Sequence, residues 1–230
     1  MNVQILHLIE GAKQAKGIAV IIDVFRAFSV EAYLMEGGAE TIYPVGDIDF
    51  AYQYKKDHPE ILLVGERHGV MCEGFDLGNS PTQAVENDVK GKTILHTTSA
   101  GTQGIANAKN ADIVLTGSLV NAKAIARYIK ALNPTNVSLV CMGLEAVEPS
   151  EEDTMCAEYI KSLLEDEPID LTDRIEGLKT TRGKKFFDPA RQSVFPESDF
   201  HYCVDVDKFD FVLRVDKNEE GLLAVKKIPV

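Results

Sequence analysis

The sequence predicts an α/β protein in three layers: a mainly parallel, mixed sheet with helices on both faces and a C-terminal β-hairpin. Three observations carry this. Short runs that are apolar nearly throughout alternate with segments of helical period, and continuous apolarity is what a strand buried on both faces requires. Cap and turn residues punctuate the alternation. Polar residues stand directly after several apolar runs, where the carboxyl ends of strands in open α/β sheets carry their ligands.

The candidate strands, in order, are 3–8, 18–24, 41–45, 61–65, 93–97, 113–116 and 137–141. Between them, 28–36 reads as a helix that stops at Gly37-Gly38, and 48–56 as one that ends before His58-Pro59. Ser80-Pro81 suits an N-cap and first-turn proline for a helix over 82–87. A short helical pattern covers 105–109. Residues 121–132 carry apolar side chains at helical spacing and stop before Asn133-Pro134. Beyond Pro149, 151–164 reads as one helix with acidic residues in its first turn, where the macrodipole favours them. Residues 165–197 read as charged and irregular, and the basic stretch 179–185 as solvated surface. Two apolar runs, 209–215 and 222–228, flank Asn218-Glu219-Glu220-Gly221 and read as the hairpin. With no linker-like segment or repeat, one domain over 1–230 is expected.

The 230 residues include 36 acidic and 24 basic side chains, a net charge of −12. That balance repels nucleic acid, so none is expected as a partner. A small anionic ligand would need a bound cation or a local arginine cluster to offset the same field. No apolar run reaches bilayer-spanning length, and no basic-then-apolar leader opens the chain. The expectation is a cytoplasmic protein with no membrane partner. Cys72, Cys141, Cys156 and Cys203 lie far apart without metal-ligand spacing and read as reduced thiols. A homodimer is the default for such a chain.

The candidate site starts at Gly17-Ile-Ala-Val-Ile-Ile-Asp23-Val-Phe-Arg26, where a buried strand delivers a carboxylate and then a guanidinium. This pair suits a hard cation and the anion it polarises; helix capping by Asp23 is the plainer use. Glu66-Arg67 follows the run 61–65 and opens a long glycine-rich loop holding Asn79 and Ser80. Thr97-Thr98-Ser99-Ala100-Gly101-Thr102 offers hydroxyls and free backbone N–H groups for phosphate or sulfonate oxygens. It lacks the lysine of a Walker loop. Ser29, and Ser118 with Asn121, add neutral donors on the same edge. Glu152 and Asp153 are further carboxylates for a metal. Arg67-His68-Gly69 matches the tripeptide of histidine phosphatases but follows a later strand than theirs, so His68 reads as a loop residue.

Taken together, Ile22-Asp-Val-Phe-Arg-Ala27, Gly65-Glu-Arg67, Gly74-Phe-Asp-Leu-Gly-Asn-Ser-Pro81, Thr97-Thr98 with Gly101-Thr102, Gly117-Ser118 with Asn121, and Glu152-Asp-Thr154 resemble the 2-phosphosulfolactate phosphatase (ComB-like) family. The match keeps the family's order over about the first two thirds of the chain. The resemblance implies an α/β fold, Mg²⁺ dependence, and hydrolysis of (2R)-2-phospho-3-sulfolactate to 3-sulfolactate and phosphate, a step of coenzyme M biosynthesis in methanogens. Thr97–Thr102 is one residue longer than the family's usual Thr-Thr-Asn-Gly-Thr, and Phe28, Val30 and His68 replace smaller residues common there. On this reading Asp23, with Glu152 or Asp153, ligates the metal or acts as acid and base, and Glu66 is a further candidate. Arg26 and Arg67 hold the anion; Ser29, Asn79, Ser80, Thr97, Thr98, Ser99, Gly101, Thr102, Ser118 and Asn121 surround the substrate. Position 25 is Phe, so the Asp-x-Asp of aspartyl-phosphate enzymes is absent, and no Cys-x5-Arg loop occurs; activated water is the favoured nucleophile. Rival readings are a phosphatase for another small 2-phospho acid and a non-catalytic anion-binding module.

Overall fold

All seven apolar runs form strands in a computed structural model that describes residues 1–230. The strands are β1 (Asn2–His7), β2 (Gly17–Ile22), β3 (Thr41–Pro44), β4 (Leu62–Arg67), β5 (Val70–Met71), β6 (Thr93–Thr97), β7 (Ala111–Gly117), β8 (Asn136–Cys141), β9 (Phe211–Lys217) and β10 (Leu223–Pro229). The helices are α1 (Leu8–Gln14), α2 (Ala27–Glu36), α3 (Ile48–Asp57), α4 (Pro81–Glu86), α5 (Gly101–Asn107), α6 (Ala122–Leu132), α7 (Glu151–Leu164), α8 (Thr172–Leu178) and α9 (Glu197–Cys203). No helix is long and apolar enough to cross a membrane.

The continuous apolarity of the strands has the expected cause. Along β2, Ile18, Val20 and Ile22 enter one core with α6 and α7, while Ala19 and Ile21 enter another with α1 and α5. Successive side chains of a strand point to opposite faces, so both faces are covered. In β4 and β6, Val64 and Ile94 face α2 and α4, whereas Leu63 and Leu95 face Ala51 of α3.

One sheet holds all ten strands in the order β1-β8-β2-β7-β9-β10-β3-β6-β4-β5. The flank β1-β8-β2-β7 is parallel, and so is β3-β6-β4. The C-terminal hairpin lies between them, with β9 antiparallel to β7 and β10 antiparallel to β3. It therefore joins the two flanks. Three successive antiparallel pairings make the flanks run in opposite directions.

A strong curl brings their carboxyl ends back together. The sheet wraps around α2, in which nine residues, Ala27 through Met35, are buried. Buried Glu31 on this helix accepts from the Thr116 hydroxyl of β7 at 3.0 Å and meets His96 Nδ1 of β6 at 3.0 Å. Four strand spacings separate β6 from β7 and would place them about 19 Å apart in a flat sheet. One carboxylate spans them here.

Two sequence expectations change. Helix α1 follows β1 at once, with no side-chain cap to announce it. The stretch 165–197 is ordered, forming α8, 3-10 turns at Arg182–Phe187 and Pro189–Arg191, and the start of α9. Leu178, Phe186, Phe195 and Phe200 anchor it in the core beside α7.

Candidate active site

Where the carboxyl ends of β2, β4, β6 and β8 meet the 3-10 turns lies a cleft of about 320 Å³. Asp23, Glu66, Glu152 and Asp153 line it together with Arg26, Arg182, Lys185 and Arg191. Acid and base thus share one cavity.

Asp23 leaves β2 and turns into α2. Its Oδ1 accepts from the Ala27 N–H at 3.3 Å, so it does cap the helix, and this leaves Oδ2 beside Gly101. A Cβ at Gly101 would lie 3.1 Å from that oxygen and 3.0 Å from both Ala27 Cβ and Phe28 Cζ, so glycine permits this close packing. Asp153, in the first turn of α7, accepts from the N–H of Val24 and of Gly143, each at 2.8 Å. It ties the ends of β2 and β8 together. Glu152 beside it is buried, and its Oε2 has no partner.

Burial raises all three carboxyls to about 7, with the negative neighbours adding to it: Glu66 and Glu152 act on Asp23, Asp153 on Glu152, and Asp23 on Asp153. Like charges crowded in a desolvated site hold protons until a cation replaces them. No three of the His, Cys, Asp and Glu side chains are preassembled around a point. A hard cation such as Mg²⁺ takes one or two carboxylates and completes its shell with waters and phosphate oxygens. The partnerless Oε2 of Glu152 and the Oδ2 of Asp23 are the donors that fit it.

Glu66 is engaged differently. Its carboxylate accepts from the N–H groups of Ser99 at 2.7 Å and Gly69 at 2.6 Å, and from the Ser99 hydroxyl at 3.2 Å. It fastens the loops after β4 and β6 to each other at the cleft wall.

Arg26 is buried against the Phe195 ring, 4.7 Å from its centroid. The guanidinium donates to Asp199 Oδ2 at 2.8 Å and to the carbonyls of Val194 and Gly69, each at 2.9 Å. Three of its five N–H donors are used, and two remain for an anion.

Several expected substrate contacts serve the fold. Arg67 turns away from the cleft and donates to the carbonyls of Glu66 and Gly46 and to the Thr97 hydroxyl. It lines an adjoining hollow with Thr98 and Gln103. Thr98 and Thr102 bond each other across the first turn of α5. Ser118 and Asn121 form a capping box, and the Ser29 hydroxyl donates to Val24 O and Ser118 Oγ. Ser80 caps α4 and donates to Asp199 at 2.7 Å. Thr97, Thr98, Gly101, Thr102, Ser118, Asn121, Ser29, Ser80 and Arg67 therefore stand behind the cleft wall, whereas Asn79 and Ser99 line it. The Oδ1 of Asn79 is buried without a partner.

The sequence reading missed Arg182, Lys185, Arg191, Phe195 and Asp199. Their segment shows no periodicity, and only the alternation of aromatics with cations from 185 to 195 marks it as more than surface. Lys185 lies close enough to the cluster that Glu152 and Asp23 bear on its charge, while burial and then Arg26 lower its pKa. His68 stands at the mouth, exposed, with Nδ1 2.8 Å from Glu145; that bond and the carboxylate's charge raise its pKa.

The family model for 2-phosphosulpholactate phosphatase matches residues 3–218. A probable 2-phosphosulfolactate phosphatase of Bacillus subtilis is 35% identical over 208 residues, which is 88% of this chain and 89% of the relative. One from Caldanaerobacter subterraneus is 36% identical over 210 residues, covering 85% and 86%. A third, from Carboxydothermus hydrogenoformans, is 42% identical over 176 residues, covering 76% and 72%. With its α/β sheet and this acid-and-base cleft, the chain belongs to the 2-phosphosulpholactate phosphatase family of phosphoric monoester hydrolases.

Proposed function

We propose that this protein hydrolyses (2R)-2-phospho-3-sulfolactate to 3-sulfolactate and phosphate with Mg²⁺ bound in the cleft. One observation supports it most: Asp23, Glu152 and Asp153 share a cavity with Arg26 and Lys185, and each acid is held at about 7 by burial and its neighbours. A site so arranged favours a cation and a multiply charged ester over either alone.

Asp23 and Glu152 would hold the ion, and Asp153 would brace both strand ends with its two backbone bonds. The ion would neutralise charge on the phosphoryl oxygens and lower the pKa of water. Arg26, with two free donors, and Lys185 orient the equatorial oxygens, the contribution that dominates phosphoryl transfer. Water attacks phosphorus, the bond from phosphorus to the C2 oxygen breaks, and that oxygen takes up a proton. Carboxyls titrating near neutrality are matched to moving these protons.

The test is colorimetric phosphate release from a set of phosphorylated hydroxy acids, with Mg²⁺ or with EDTA. Release from 2-phospho-3-sulfolactate in Mg²⁺ alone is expected. Silence toward every member of the set would overturn the proposal, and turnover confined to a non-sulfonated 2-phospho acid would replace its substrate.

A further inference from the structure

Three cations share one aromatic ring in the cleft wall. The Phe195 centroid lies 4.7 Å from the Arg26 guanidinium carbon, 5.1 Å from Lys185 Nζ and 4.5 Å from the Arg191 guanidinium carbon. Phe195 itself is 4% exposed. Its seat depends on Gly69, where a Cβ would come within 2.5 Å of the ring. A phenyl ring has two faces, and its attraction for a cation at such distances is modest. The ring therefore cannot compensate three positive charges, and carboxylates face only part of the group. Arg26 has its ion pair with Asp199, and Lys185 has Glu152 and Asp23 near it. Arg191 forms no ion pair, and the one ion pair of Arg182 is with Glu148, at 3.8 Å, although its charge also bears on Glu152. Both arginines line the same cleft as the acids.

Arg182 and Arg191 belong to the 3-10 turns and line the cleft with Asp23 and Arg26 from the end of β2. A phosphoryl group held at Asp23 and Arg26 would leave the rest of its ester facing Arg182 and Arg191. We propose that Arg191 and Arg182 form the subsite for the substrate's second strong-acid group, its sulfonate, so that this pair sets the preference for sulfonated phospho acids. The inference rests on the phosphatase reading above. It adds the residues that separate one phospho acid from another.

Arginine suits the task because its planar fork stays charged and can donate two parallel bonds to sulfonate oxygens, as it does to phosphate. Arg182 is partly exposed and Arg191 is exposed, so replacing them leaves the core intact.

The experiment compares kcat/KM for 2-phospho-3-sulfolactate and for 2-phospholactate, whose methyl group replaces the sulfonated methylene. Wild type, Arg191→Gln, Arg182→Gln and the double variant are measured, each preparation with both substrates, so that any inactive fraction cancels in the ratio. Charged hydrogen bonds of this kind correspond to about 10-fold to 100-fold each. The preference for the sulfonated ester should fall by about tenfold in each single variant and further in the double. Calorimetry with the products gives a second reading: 3-sulfolactate should bind the wild type more tightly than lactate, and the double variant should lose that difference. An unchanged ratio of kcat/KM, or an unchanged difference in product binding, would overturn the subsite. Absence of phosphate release from either ester in wild type would instead sink the phosphatase reading, while the calorimetric comparison would still decide the subsite.

Discussion

The Arg26 guanidinium and the Asp199 carboxylate meet at 2.8 Å with both side chains out of solvent. They come from opposite ends of the chain, 173 residues apart. Asp199 Oδ1 also accepts from the Ser80 hydroxyl and from the N–H and hydroxyl of Thr82, so one carboxylate ties the cleft arginine to the start of α4 and to α9. Removing it leaves a guanidinium buried without its charge partner. Asp199→Ala should lower stability by about 3–5 kcal/mol, read from urea denaturation, and Asp199→Asn should lose less. A change below 1 kcal/mol in the alanine variant would mean that the pair is not a structural tie.

Asp23→Asn should reduce Mg²⁺-dependent phosphate release by at least about 10³-fold while the far-UV spectrum stays the same. Its melting temperature at pH 8 should not drop, because the variant removes a charge that burial disfavours. Retained turnover would take Asp23 out of the chemistry.

The acid cluster fixes the sign of a pH effect. Asp23, Glu152 and Asp153 are raised to about 7 in the folded protein, from ordinary values of 3.8 for aspartate and 4.5 for glutamate. Between those limits the folded state binds more protons than the unfolded one, so stability falls as pH rises. The contribution is complete below the unfolded values and gone above about 7. Mg²⁺ should reverse the loss, with a larger rise in melting temperature at pH 8 than at pH 5. Thermal scans at both values check this, and equal shifts would place the ion elsewhere.

Lys185→Met should lower kcat/KM by about 10²-fold, with Lys185→Arg recovering part of it. Steady-state kinetics at saturating Mg²⁺ measures the loss. A variant with full activity would make Lys185 a structural partner of the two rings it touches, Phe186 and Phe195.

His68→Ala should keep activity within about threefold, since the imidazole is exposed and bonded to Glu145 at the cleft mouth. Its activity should remain sensitive to EDTA. Complete loss would instead support a phosphohistidine route.

The legible parts of this protein are those in which local pattern and tertiary role agree. Strands such as β2 and β8 are apolar nearly throughout because both faces are covered, and Asp23 and Asp153 stand beside strand ends where site residues gather. The hydroxyls of Thr98, Thr102 and Ser118 look alike whether they hold a ligand or bond the backbone; in the fold Ser118 caps the 3-10 turn after β7, and Thr98 and Thr102 bond each other at the start of α5. Lys185 and Arg191 resemble surface charge until Phe195, seated over Gly69, shows which way they face. Nothing in the run 28–36 marks Glu31 as more than a helix residue, although it is the link across the curled sheet.

The hairpin between the flanks has a consequence for biosynthesis. Strands β9 and β10 follow both flanks in the chain, yet β1-β8-β2-β7 and β3-β6-β4 are bridged only through them. Until that hairpin is translated, β7 and β3 present bare rims, open to mispairing with other chains. Assembly of the catalytic hollow, which needs side chains from both halves, is thereby deferred until the hairpin has been made.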